Sequence, residues 1–169
     1  EATTEYNLII KLHHYAWMGK YATHRQHKVF EDRIKQYDHA IIVPKDDYSI
    51  LPLLYVADTL VSEASGAITE FLATGKTGII YNLDPKRLMH SDGETLLGFD
   101  NREYLKDSFV HINHPDELQA GIELALSPSP EMQKAQKIDR DKIFHKLDGK
   151  ASVRVKQTVE QLIVEKTIG

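Results

Sequence analysis

The chain has 169 residues, of which 41% are apolar and 27% charged, a composition that fits a globular domain with a buried core rather than a disordered chain. It contains no cysteine, which excludes disulfide bonds, cysteine zinc sites and thiol chemistry. The formal net charge of -4 provides no basic footprint, so we expect no nucleic-acid partner.

Short apolar runs predict the β-strands. They cover residues 6–12, 40–43, 59–62, 78–81 and 109–112. Nearly continuous apolar runs of this kind suit strands that are covered on both faces, as in parallel sheets. None of the runs approaches the ~20 residues that a membrane-spanning helix needs, and no signal peptide is evident.

The segments around these strands carry helix signals. Helices are predicted at 25–37, 49–56, 66–74 and 115–126, from Ser129 onward, and at 151–167. Strands that alternate with helices favour an α/β fold, because parallel neighbours need a right-handed crossover between them. We therefore predict a Rossmann-like parallel sheet with helices on both faces. The whole chain, 1–169, is predicted to be a single domain, with the last helices (about 130–167) packing back on it.

The segment 62–70 is the most informative for function, since open parallel sheets bind ligands at the carboxyl ends of their strands. A strand enters a small-residue turn and leaves as a helix, whose first amides have no partner within the helix. The hydroxyls of Ser62 and Ser65, with Gly66 allowing close approach, would complete a phosphate cradle. Glu70, one turn later, can accept hydrogen bonds from ribose hydroxyls. An ordinary capped helix with a solvated glutamate explains the same residues equally well.

The segment 60–81 resembles the donor-binding stretch of GT-B-type transferases, in which a strand, a serine turn and a helix bearing Glu precede Gly-Lys-Pro and another strand. Two other segments favour the CDP-glycerol glycerophosphotransferases of teichoic acid synthesis. Lys11-Leu-His-His14 resembles their Lys-x-His-Pro, and Asp148-Gly-Lys-Ala-Ser-Val-Arg154 resembles the Asp-Gly-x-Ala-Ser-x-Arg that opens their last helix. The turn is also similar to that of UDP-N-acetylglucosamine 2-epimerases, which have Ser-Gly-Gly there.

The sequence departs from the glycerophosphotransferase pattern in several places. Glu63 and Ala64 stand where these enzymes have Asp-Tyr, and Gly66 stands where they have a second serine. Thr77 replaces their proline, and Leu97 replaces the arginine of their Arg-Gly-Phe. The Trp-His-Gly segment of the family's N-terminal half is absent. We therefore expect this chain, which begins with Glu rather than Met, to be the C-terminal half of a two-domain enzyme.

The resemblance implies roles for individual residues. His13 would face the donor pyrophosphate as the catalytic residue. The neighbouring phosphate would then favour the protonated form of its imidazole. The donor phosphate would be held by Ser62, Ser65, Gly66 and Ala67, and the ribose by Glu70. The cleft would be bordered by the loop 83–106 and by His14, Asp84 and Arg102. Arg102 would be a displaced substitute for the family's arginine.

The implied function is donor binding in a glycerophosphotransferase or glycosyltransferase of cell-surface polymer synthesis. The expected partners are CDP-glycerol or a sugar nucleotide, and the missing N-terminal acceptor domain; no cofactor and no metal are expected. The implied location is cytoplasmic, with peripheral contact at the inner face of the membrane through the parent enzyme. Two alternatives remain: a sugar-nucleotide 2-epimerase-like domain, and a non-catalytic interaction domain that keeps the fold.

Other candidate residues favour structural roles. His24 and His27 lie one helical turn apart, but no third ligand with suitable spacing accompanies them, so we expect a solvated helix face. His111 and His114, at a strand end and a helix start, are interpreted as structural. Trp17 can stack on a base, although aromatic residues in loops more often cover a sheet edge.

Overall fold

The computed structural model describes residues 6–13, 16–17, 26–47, 49–63, 65–84 and 103–168 of the chain. The chain divides into two compact units, Glu1–Val56 (unit 1) and Ala57–Gly169 (unit 2). Every strand pair in the described residues is parallel, with two strands in one sheet and three in the other. The predicted α/β class with parallel sheets is confirmed, and the arrangement is compatible with a Rossmann-like fold.

Unit 1 contains two parallel strands connected through a helix. Strand β1 (Leu8–Ile10) pairs with β2 (Ala40–Ile42), and α1 (Gln26–Ile34) lies between them in sequence. A short helix, α2 (Leu51–Val56), follows. Each of these elements falls within or beside a segment that the sequence predicts for it.

The apolar residues of these two strands are more exposed than the sequence predicts. Leu8, Ile9 and Ile41 are 50%, 37% and 56% exposed. A sheet of two strands has only edge strands, and the buried apolar residues in the described part of unit 1 are Val43 and Leu54. The expectation that the strands of unit 1 are covered on both faces is therefore wrong.

Unit 2 is built around a three-stranded parallel sheet. Strand β4 (Ile79–Tyr81) lies between β3 (Val61–Ser62) and β5 (Val110–Ile112). Ile79 and Ile80 point to opposite faces of the sheet and are both fully buried. β4 thus has the covering on both faces that its continuous apolar run predicts.

Two helices pack against the core of unit 2. Ile68, Phe71 and Leu72 of α3 (Gly66–Leu72) are fully buried. A short 3₁₀ turn (Pro115–Glu117) leads into α4 (Leu118–Leu126). α4 approaches the sheet closely at Gly121, where a Cβ atom would lie 3.1 Å from a methyl group of Ile112.

The last two helices begin where the sequence predicts. The Ser129 hydroxyl accepts a hydrogen bond of 3.2 Å from the amide of Met132 and so caps α5 (Pro130–Ile143), which starts directly after Ser129. α6 (Ala151–Ile168) carries an apolar stripe that is 49–63% exposed. The stripe consists of Val155, Val159, Leu162 and Ile163. No helix in the described ranges is both long and apolar enough to cross a membrane.

The motif before α6 has a structural role of its own. Asp148 accepts a hydrogen bond of 3.0 Å from the amide of Lys150, and both its carboxylate oxygens lie 2.9 Å from Nη1 of Arg154. The Lys150 amide, followed by Arg154, holds the pKa of Asp148 below its usual value. Gly149 adopts a φ of +68°, which favours glycine. The Asp, Gly and Arg of the motif therefore fix the start of α6.

A buried side-chain amide joins α5 to the sheet of unit 2. Gln136 is 5% exposed, and its Nε2 donates to Thr77 Oγ1 at 2.6 Å and to the carbonyl of Ser108 at 2.9 Å. The Ser108 hydroxyl in turn donates to Asp139 at 2.6 Å. Thr77 is thus the acceptor that the amide needs. Since buried polar groups are costly when unpaired, this network fixes α5 in one position.

We expect Gln136→Met to destabilise the protein by about 2–4 kcal/mol, because it leaves two buried acceptors without their donor. The measurement is urea unfolding followed by circular dichroism. Gln133→Met is the matched control, since Gln133 is exposed on the same helix and its side chain donates to the Pro128 carbonyl in an exposed hydrogen bond rather than to a buried acceptor; the cost of this variant should stay within about 0.5 kcal/mol. Equal costs for the two variants would contradict the role given to Gln136.

We expect Gly149→Ala to destabilise the protein by about 1 kcal/mol, since a side chain is strained at a φ of +68° even in the open space found there. Gly66→Ala is the control, because its φ is not positive and nothing lies within 4 Å of the added Cβ. The same unfolding experiment should show no loss for Gly66→Ala. A loss of stability as large as that of Gly149→Ala would contradict the open space that the structure shows around Gly66.

Candidate functional site

The carboxyl ends of the strands of unit 2 meet at one edge of the sheet. β3 ends at Ser62, β4 leads into Asn82, and β5 leads into Asn113. The turn between β3 and α3 therefore lies at the edge where the sequence places the phosphate site. Asp84 is exposed and follows β4 on the same edge.

Two backbone amides of the β3–α3 turn have no acceptor among the residues that the structure describes. Ser65 is in the cap position of α3 with an extended backbone (φ -149°, ψ 168°), but its side chain makes no capping hydrogen bond. Its hydroxyl instead lies 3.2 Å from the hydroxyl of Ser62. Within the described residues, the amides of Gly66 and Ala67 have no acceptor, whereas the amides of Ile68 and Thr69 donate to the Ser65 carbonyl. The turn therefore offers two amides and two hydroxyls to a ligand.

The surroundings of the turn leave room for a ligand. Gly66 is exposed, and a Cβ atom there would have no described residue within 4 Å, so the backbone can be approached from outside. Glu70, one helical turn later, is exposed. Thr69, on the same helix, shares a hydrogen bond with the hydroxyl of Tyr104, which ties α3 to the chain before β5. A concave pocket of unit 2 lies at the opposite edge of the sheet, away from this turn.

A group of polar side chains that the sequence did not place in the site lies at the same edge. Asn82 is 8% exposed, and its Nδ2 donates to Oδ1 of Asn113 at 3.2 Å. Its Oδ1 lies 3.2 Å from Nδ1 of His111. The amide of Asn113 donates to Glu117 at 2.8 Å. The Asn82–His111–Asn113 cluster braces the ends of β4 and β5, which supports the structural role expected for His111.

Burial lowers the pKa of His111, and the nearby carbonyls of Tyr104 and Leu105 only partly oppose this effect. Its Nε2 has no hydrogen-bond partner among the described residues. A second proton on this ring would therefore be added in a half-buried place, which disfavours the charged imidazole.

Of the predicted site residues not yet placed, the structure describes His13. His13 follows β1 in unit 1, is exposed, and accepts a hydrogen bond of 2.9 Å from the amide of Ala16 on its carbonyl; its assignment to the donor phosphate stays a prediction. His14, Arg102 and most of the loop 83–106 lie outside the described residues.

Two side chains of unit 1, Trp17 and His27, contact each other. The rings of Trp17 and His27 stack with their centroids 4.8 Å apart, and Nδ1 of His27 lies 3.3 Å from the carbonyl of Ala16. His27 therefore has a structural environment rather than the fully solvated one predicted for its helix face. No cluster of metal-ligating side chains occurs within the part of the chain that the structure describes.

Comparison of the chain with protein-family models, with curated proteins and with solved structures found no match.

The His111 environment predicts a pH dependence of stability. Because folding lowers the pKa of this imidazole, its contribution is present above about pH 6.5 and is lost as the pH falls from there toward the lower folded-state value. His111→Gln should therefore lose less free energy of unfolding than the wild type between about pH 7.5 and pH 5.5.

Urea unfolding across this range makes the comparison. The control is His145→Gln, because His145 is exposed in unit 2 and should leave the wild-type dependence unchanged. A pH dependence in His111→Gln that equals that of the wild type would contradict the effect assigned to burial.

Proposed function

We propose that unit 2 binds the diphosphate of a nucleotide-activated donor at the β3–α3 turn, as the donor-binding domain of a glycerophosphotransferase or glycosyltransferase of cell-surface polymer synthesis. The observation that carries the proposal is the pair of amides at Gly66 and Ala67, which have no acceptor among the described residues and lie next to the two serine hydroxyls at the carboxyl-terminal edge. The order of the sequence motifs along the chain supports the choice of enzyme class.

The chemistry of the turn suits a phosphate. α3 has seven residues, so its dipole is a small term and the individual amide donors matter more. Amide hydrogens that point at a phosphoryl oxygen form short, charge-assisted hydrogen bonds. Two serine hydroxyls add donors that can rotate toward the same oxygens. Glu70, exposed one turn further along α3, would accept hydrogen bonds from the ribose.

The step that these donors would assist is displacement at the donor. In glycerophosphate transfer, an acceptor hydroxyl attacks the phosphorus that carries the glycerol, the bond from that phosphorus to the oxygen of the nucleotide phosphate breaks, and the nucleoside monophosphate leaves with the electron pair. In glycosyl transfer, the hydroxyl attacks the anomeric carbon, the bond from that carbon to the diphosphate oxygen breaks, and the nucleoside diphosphate leaves with the electron pair. The hydroxyl proton passes to a base, which the resemblance assigns to the N-terminal acceptor domain. The amides of Gly66 and Ala67 would stabilise the negative charge that grows on the departing phosphate.

Incubation of the full-length protein with CDP-glycerol and, separately, with UDP-N-acetylglucosamine distinguishes the enzyme classes. Release of CMP from CDP-glycerol, with transfer of glycerophosphate to a hydroxyl acceptor, is the result that this proposal expects. Conversion of UDP-N-acetylglucosamine to its 2-epimer would instead assign the chain to the epimerase-like alternative. Failure to bind either nucleotide would favour the non-catalytic interaction domain.

Gly66→Val is the point test of the turn. We expect it to weaken binding of CDP about tenfold or more, because a branched side chain blocks approach to the two amides. The fold should persist, since the new side chain meets no neighbour at its Cβ. Isothermal titration calorimetry gives the affinity, and thermal unfolding checks the fold.

Ala151→Val is the matched control for this test. Ala151 is exposed and is the first residue of α6, as Gly66 is the first residue of α3, but no strand delivers the chain to it. The control should bind CDP like the wild type. If Gly66→Val also keeps the wild-type affinity, the turn is not the donor site.

A further inference from the structure

We infer a second binding site in unit 2, for a small phosphomonoester that carries hydroxyl groups, in a pocket at the amino-terminal edge of β3 and β4. The pocket has a volume of about 390 Å³. Asp58 precedes β3, and Gly75, Lys76 and Thr77 precede β4, so the pocket lies where these strands begin. The end of α4 and one side of α5 close it. The inference does not depend on the donor site proposed above.

The charge of the pocket favours an anion. Three cationic side chains line it, namely Lys76, Lys137 and Arg140, against the single carboxylate of Asp58. They are not equivalent, because Lys137 already forms an exposed ion pair of 2.9 Å with Asp141. Arg140 has no carboxylate within ion-pair distance among the described residues. Its planar guanidinium can donate two parallel hydrogen bonds to a phosphate, which makes it the principal anion ligand.

Gly75 leaves space for the guanidinium of Arg140. A Cβ atom at Gly75 would lie 2.7 Å from Nη1 of Arg140, so any other residue there would push the guanidinium away. The φ of +76° at Gly75 also favours glycine. The end of α3 and the side chain of Arg140 are therefore fitted to each other at the pocket wall.

The remaining wall is held rigidly. Nζ of Lys76 donates to the carbonyl of Ala57 at 2.7 Å, which fixes its ammonium group beside the pocket. Thr77 is held from two sides, since its carbonyl accepts from the Thr59 hydroxyl at 2.9 Å and its hydroxyl accepts from Gln136 at 2.6 Å. A wall whose side chains are already ordered loses little entropy on binding a ligand.

The other lining residues narrow the ligand class. The Asp58 carboxylate would repel a bare anion but can accept hydrogen bonds from hydroxyl groups on the same ligand. Ala125, Leu126 and Pro128 provide an apolar surface for the carbon skeleton. The volume is near the lower end of the range for ligand pockets, which suits a sugar phosphate rather than a nucleotide diphosphate.

Ribose 5-phosphate is the probe for this site, with inorganic phosphate and ribose as its separate parts. Titration of the ¹⁵N-labelled full chain followed by NMR should move the signals of Gly75, Lys76 and the Arg140 guanidinium. Ribose 5-phosphate should bind tighter than inorganic phosphate, and ribose alone should not bind. Tighter or equal binding of inorganic phosphate would overturn the hydroxyl-bearing ligand class.

Arg140→Gln should weaken ribose 5-phosphate binding about tenfold or more, since it removes the charged donor pair. Lys76→Gln should weaken it as well, and it serves as a second variant should Arg140→Gln fold poorly. Lys134→Gln is the matched control, because Lys134 is an exposed cation on α5 outside the pocket lining; it should keep the wild-type affinity.

The inference is overturned if ribose 5-phosphate does not bind, if the folded Arg140→Gln and Lys76→Gln variants bind it like the wild type, or if the shifted signals lie only in residues 62–70. The last result would leave the donor site of the β3–α3 turn intact. Conversely, Gly66→Val should not alter binding of ribose 5-phosphate at the pocket, so failure of either site can be recognised separately.

Discussion

The parallel pairing of β4 with β3 on one side and β5 on the other is the constraint on which the rest of unit 2 depends. Because all three strands run in the same direction, their carboxyl ends share one edge of the sheet and their amino ends share the other. β4 is covered on both faces, with Ile79 and Ile80 fully buried. The two edges are therefore the places where polar groups of the sheet can meet a ligand.

The two edges offer different chemistry. At the carboxyl edge the donors of the β3–α3 turn are backbone amides and serine hydroxyls on an open surface, next to a cluster of asparagine and histidine side chains. At the amino edge the donors are cationic side chains around a pocket whose wall is tied to α5 by the buried amide of Gln136. The first arrangement suits an extended diphosphate, and the second suits a compact ligand with one phosphate. Because the donors at the two edges differ in this way, we propose that each edge binds a separate ligand.

The sequence predicts the elements well because the signals for them are local. Apolar runs and the helix signal at Ser129 act within a few residues of where they stand, and the structure has strands and a helix start there. The location of the β3–α3 turn at a carboxyl edge follows from the same alternation of strands and helices.

What the sequence could not predict depends on residues far apart in the chain. Gln136 bonds Thr77, 59 residues away, and His111 contacts Asn82, 29 residues away. No local pattern distinguishes Gln136 from the exposed Gln133 on the same helix. The exposure of Leu8 and Ile41 is missed for a related reason, since an apolar run predicts a strand but not the number of neighbours that cover it.

The central claim is that the free amides of the β3–α3 turn bind an anionic nucleotide, and an NMR titration of the ¹⁵N-labelled full chain with CDP tests it most directly. The account predicts that the amide signals of Gly66 and Ala67 move furthest, and toward lower field, as they acquire a phosphate acceptor. If those two signals stay in place at saturating CDP, whether or not others move, the claim is contradicted.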